Sequence, residues 1–115
     1  MQLDYNEKQA ITKFHSLIKD KFDVAKLILF GSRARGDADP YSDIDLLVLS
    51  KKKENLQDFL KLSDIAADVN IDYGVAINCL YDNNDDWCEG RVNNPMFKTN
   101  VDREGIALEL QWTSN

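Results

Sequence analysis

The sequence predicts an α/β domain in which a mixed sheet of about four strands carries helices packed on it. Three observations predict it. Two short apolar runs, at 24–30 and 43–49, are closed by Gly-Ser and by a lysine triplet, as buried strands are. The stretches at 6–22 and 55–69 instead repeat apolar residues at helical spacing. The length of 115 residues, with 43% apolar and 10% aromatic residues, suits one globular domain over 1–115 and argues against disorder.

The first helix is expected from Asn6 to about Phe22, with Ile11, Phe14, Leu17, Ile18 and Phe22 inward. Asn6 can cap its start, with Gln9 three residues on as in a capping box. His15 sits beside this stripe and reads as a boundary residue, because no acid or base partner lies near it. Residues 24–30 form the first strand, and 33–35 a helical turn that Gly36 ends. Residues 37–42 carry Asp, Pro and Ser and read as a loop. The second strand, 43–49, has the Leu, Ile and Val content of a central strand. Lys51, Lys52 and Lys53 mark its solvated exit.

A second long helix over 55–69 turns Leu56, Phe59, Leu60, Leu62, Ile65 and Ala66 inward. Gly74 precedes a third strand at 75–81. Residues 82–94 are polar and rich in turn formers, and Pro95 opens a short helix through Phe97 and Val101. Gly105 ends it, and 106–112 makes the fourth strand. No internal repeats or low-complexity linkers interrupt this order.

Charge narrows the function. Twenty acidic against fourteen basic residues give a net charge of −6, which repels a phosphate backbone and argues against broad nucleic-acid binding. No apolar run approaches the roughly 20 residues that span a bilayer. Residues 1–5 lack the basic and apolar regions of a secretory signal, so a cytoplasmic location is expected. Cys79 and Cys88 have no metal spacing and read as reduced, structural thiols.

The chemistry lies in the centre. On a strand, Asp43 and Asp45 point to one face with Cα atoms roughly 6.5–7 Å apart, and together they can grip a divalent cation. Mg²⁺ suits them, since it takes oxygen ligands and completes its shell with substrate phosphates. Upstream, Gly31 lets backbone approach a ligand, and Ser32 adds a hydroxyl at the start of a helical turn whose free N–H groups suit phosphate. Arg33 and Arg35 are candidates to neutralise further phosphate charge, or to pair with surface acids.

Gly-Ser, ten residues, then Asp-x-Asp resembles the signature of the DNA polymerase β-type nucleotidyltransferase superfamily. The fuller string Gly31-Ser-Arg-Ala-Arg-Gly36 through Tyr41-Ser-Asp-Ile-Asp-Leu46 is similar to that of the minimal nucleotidyltransferases, the MNT antitoxins found beside HEPN toxins. Asn100-Val-Asp-Arg-Glu-Gly-Ile106 looks like the closing helix-to-strand step of that group.

The resemblance implies a polymerase β-like fold and an Mg²⁺-dependent transfer of AMP from ATP to a hydroxyl. The chain has no room for a second, acceptor-holding domain, so the acceptor is expected on a partner protein, a tyrosine of a HEPN ribonuclease toxin. A homo- or hetero-oligomer is compatible with this. Asp43 and Asp45 would hold the metal and act as catalytic carboxylates; Gly31, Ser32, Arg33 and Arg35 would hold the nucleotide. The superfamily takes a third carboxylate from the next strand, and by family register Ala76 stands there; Asp72, a few residues earlier, reads either as a substitute or as the end of the helix-to-strand loop. That gap motivates the alternative of a catalytically impaired nucleotide-binding domain that neutralises its partner by binding alone.

Overall fold

In the computed structural model, which describes residues 1–110, the chain runs α1 (Tyr5–Ile18), β1 (Val24–Phe30), α2 (Ser32–Arg35), β2 (Ile44–Ser50), α3 (Leu56–Tyr73), β3 (Ile77–Asn83), α4 (Asn84–Cys88), α5 (Pro95–Glu104) and β4 (Ile106–Ala107). The sheet order is β3-β2-β1-β4. β1 pairs antiparallel with β2 and β4, whereas β2 and β3 are parallel, so the sheet is mixed as predicted. The parallel step is possible because α3 crosses between the two strands.

Boundaries shift where capping differs from the sequence reading. Asp4, not Asn6, caps α1: its carboxylate accepts from Glu7 N at 2.7 Å, and the Glu7 carboxylate accepts from Asp4 N at 3.0 Å. Asn6 donates its amide instead to the Tyr73 carbonyl at 2.8 Å, tying α1 to the end of α3. Phe22 is buried from the turn after α1, and Leu17 faces solvent.

α3 runs on to Tyr73, where Gly74 closes it in the left-handed conformation that a glycine adopts without strain. Its first turns expose Leu56 and Leu60, so its inward face rests on Leu62, Ala66 and Val69. Asn83 and the acids after it start α4, a short helix within the stretch read as turns; the Asn83 side chain accepts from Asp86 N. β4 is confined to two residues, although Leu108 N still donates to the Leu27 carbonyl. Positions 111 and 112 of the predicted fourth strand lie outside the described residues.

The sheet has two unlike faces. Leu27, Leu29, Ile44, Leu46, Val48, Ile77, Cys79 and Tyr81 meet Ile11, Phe14 and Ile18 of α1 and the inward face of α3. The opposite face is covered in part: Leu47 and Leu49 meet Trp87 of α4 and Val101 of α5, with Ile28, Phe30 and Phe97 around them. Along β3, Asn78 and Leu80 stay exposed on that side. No helix among the described residues is long and apolar enough to cross a membrane.

Candidate active site

β1 ends at Phe30, which pairs with Asp45 across the antiparallel ladder, so the next residue, Gly31, arrives beside that carboxylate. Gly31 has φ 74° and ψ −159°, a conformation that side-chain-bearing residues rarely adopt. It also lacks the atom that would collide: the Asp45 Oδ2 atom occupies the space where a Cβ would stand. The loop and the carboxylate are thus packed against each other through a missing side chain. After Gly31 the chain turns at once into α2, with Ala34 N and Arg35 N both donating to the Gly31 carbonyl at 3.1 Å. Gly36 ends that turn with φ 84°.

β2 begins at Ile44, one residue later than predicted, so Asp43 stands at the mouth of the strand, exposed, while Asp45 is half-buried within it. Burial pushes the Asp45 carboxyl up, and the Asp43 charge pushes it further. A hydrogen bond from the Asn78 amide, at 3.3 Å, and the Arg35 charge oppose the rise. Asp45 and Asn78 are direct partners in the parallel register, so Asn78 is the side chain that β3 offers to Asp45. The predicted position, Ala76, lies two residues earlier and just ahead of β3, where its carbonyl accepts from Ile44 N. Asp72 belongs to the last turn of α3, exposed, and is not among the charges that act on Asp45. The sequence held a signal for Asn78, since period-two alternation puts 76, 78 and 80 on one face; the register was what it lacked.

The two arginines part company. Arg33 is 8% exposed and turned away from phosphate work, a correction to its reading as a nucleotide contact. Its guanidinium donates to the Glu7 carboxylate at 2.8 Å, to the Gln2 carbonyl at 3.3 Å and to the Ser42 carbonyl at 2.9 Å. It therefore clamps the start of α1 and the 37–42 loop onto α2. Gln2 reinforces the clamp: its amide donates to the Ala38 carbonyl at 2.9 Å and accepts from Ala38 N at 3.0 Å. Arg35 stays at the surface, donating to Asp37 and to Glu104, each at 3.2 Å. It lines a cavity of about 280 Å³ with Gly31, Phe30, Phe97, Asn100 and Glu104. Arg35 first, and Arg103 after it, hold the Glu104 carboxyl below its ordinary range. Glu104 and Asn78 are the site neighbours that residue-level reading of the sequence did not single out.

Asp43 and Asp45 are near enough for one charge to act on the other, and Asn78 turns its amide N–H toward Asp45. Among the described residues no three His, Cys, Asp or Glu side chains come together as a metal cage. This donor set fits Mg²⁺, which is ordinarily held by one or two carboxylates with its remaining ligands from water and phosphate. His15 lies on α1 near Lys19, half-buried, with burial and then Lys19 lowering its imidazole. Cys79, buried, and Cys88, exposed, are both free thiols.

Residues 11–104 match the family model described as nucleotidyltransferase domain. The chain is 35% identical over 105 residues to a Methanocaldococcus jannaschii protein named putative protein adenylyltransferase MJ0604, covering 90% of this chain and 98% of that one. A second protein of the same name and organism, MJ0141, is 41% identical over 63 residues, 55% of this chain and 62% of the relative. Among solved structures, a chain in a mutant of the toxin–antitoxin MntA–HpeT superposes with a TM-score of 0.61 at 19% identity, over 94% of this chain and 73% of that one.

Proposed function

Because this chain belongs to the nucleotidyltransferase domain family, we propose that it transfers AMP from ATP to a hydroxyl of a partner protein, as the antitoxin of a HEPN/MNT-type pair. The observation that carries the reading is the packing of Gly31 on Asp45. A glycine turn packed directly on a carboxylate supports a site where a phosphate and a cation would be held side by side. The names of the curated relatives support adenylyl transfer, and the toxin–antitoxin structure supports a toxin as acceptor.

In this reading Asp43 and Asp45 hold Mg²⁺, which when bound neutralises phosphate charge and orients the α-phosphorus. Gly31 and the Ser32 hydroxyl hold the triphosphate. Arg35 shares its charge between the phosphates and its partners Asp37 and Glu104. The acceptor hydroxyl gives up its proton to solvent as its oxygen bonds to the α-phosphorus, the bond to the bridging oxygen breaks, and pyrophosphate departs.

The test is to incubate the protein with ATP, Mg²⁺ and a co-encoded partner and to weigh the partner. A gain of roughly 329 Da per AMP is expected, since the modification leaves a covalent nucleotide on the acceptor. Asp43→Asn/Asp45→Asn should remove the gain; transfer that survives this change would sink the mechanism.

Asn78 supports a second reading. An amide cannot take the acceptor's proton, so a domain with Asn78 beside Asp45 could bind nucleotide and block its partner by contact alone. Inhibition of the partner with no mass gain would select this reading over the first.

A further inference from the structure

At the other end of β3 from Asn78 the sheet opens into a second cleft, of about 460 Å³, lined by Glu54, Phe59, Tyr81, Asp82, Trp87 and Phe97. It continues past Glu54 and Tyr81 over the start of α3. Its walls are aromatic and its charged groups are acids. Among the described residues Glu54 has no hydrogen-bond or ion-pair partner, and Asp82 accepts only from the neighbouring Asn83 N at 2.7 Å. Both carboxyls are raised, Glu54 by burial and then by Asp82 and Asp86, Asp82 by burial and by Asp86.

Three cations of the neighbouring elements are engaged elsewhere. Arg91 pairs with Asp86 at 2.9 Å, and Lys52 with Asp58 at 3.6 Å. Lys98 pairs with Asp102 and lies 5.4 Å from the Trp87 ring centre, so that indole already serves as a cation platform. An independent observation concerns Tyr81. It is 8% exposed, it lines both parts of the cleft, and its hydroxyl is buried with no hydrogen-bond partner among the described residues.

We propose that this cleft receives an arginine side chain of a protein partner. Two carboxylates without a cationic partner among the described residues ask for positive charge. Aromatic walls suit a planar, weakly hydrated guanidinium with an apolar stem. Asp82 stands four residues from Asn78 along one strand, about 13 Å at the rise of a strand, so a partner anchored here would lie over Asp45. The inference goes beyond the transfer reading and does not require it.

The test is a titration of isotope-labelled protein with acetyl-Gly-Arg-Gly-amide, followed by NMR at the Trp87 indole N–H and the Glu54 carboxyl carbon. Saturable shifts at both are expected, with the same peptide carrying neutral citrulline binding about tenfold more weakly. Glu54→Gln/Asp82→Asn should weaken the arginine peptide by about the same factor. Asp43→Asn/Asp45→Asn should leave that binding unchanged, which separates this inference from the fate of the transfer mechanism. Equal binding of the arginine and citrulline peptides, shifts that do not saturate, or the same shifts produced by Mg²⁺ alone would each overturn it.

Discussion

Under α1 and α3 the sheet meets a mainly apolar layer, with Phe14, Ile11 and Leu62 wholly buried, while across the same strands Asp45, Asn78 and Leu80 stand half-covered or bare. One strand, β2, serves both faces by alternation: Ile44, Leu46 and Val48 look into the core, and Asp45 looks out between Gly31 and Asn78. The closed face holds the backbone rigid enough for the open face to keep unfavourable groups in place. The raised Asp45 carboxyl is such a group, its charge disfavoured by burial and tolerated because the core offsets the cost.

Substitutions on each face put that contrast at risk. The largest loss is expected for Phe14→Ala, about 3–5 kcal/mol from lost burial and the cavity left behind, read from urea unfolding. Arg33→Ala should follow at about 3 kcal/mol, because it leaves the half-buried Glu7 carboxylate without its cation. Arg35→Ala, two residues on, should leave the urea midpoint unchanged, since its pairs are solvent-screened, while ATP affinity falls in a calorimetric titration.

Asp45→Asn should act with the opposite sign, raising the melting temperature by about 2–4 °C at neutral pH while removing transfer. The sign follows from linkage. The folded carboxyl titrates above its unfolded value, so the penalty of ionising it is full above the folded pKa. As pH falls from there towards the ordinary value near 3.9, the native carboxyl takes its proton first and the gap between the two proteins closes. A melting-temperature difference that widened on acidification would refute this account. Leu80→Ser should be the mildest, within about 0.5 kcal/mol, as an exposed apolar residue on an open face.

β1 and β2 and their signs of burial were legible because periodicity is a local property. β1 lies where the apolar run at 24–30 puts it, and Pro95 and Gly105 bracket α5. What failed depended on pairs distant in sequence. Arg33 finds Glu7 twenty-six residues away, and no local pattern distinguishes it from Arg35. Asn6 loses the capping role to Asp4 because a better box lies two residues earlier and Tyr73 claims its amide. The relation of Asn78 to Asp45 needed the register of a parallel pair, which α3 sets through packing. In the candidate site, the spacing of Gly31 and Asp45 was visible in the sequence; their contact was not.

The Gln2 and Arg33 clamp has a practical side. The loop leading to Asp43 is fastened by residues at the very front of the described chain, through Gln2 to Ala38 and Arg33 to Ser42. A purification tag or reporter fused ahead of Met1 would pull on that fastening, at the threshold of the carboxylates. Fusions joined far from it, on the exposed surface of α3, leave the loop to its own tethers.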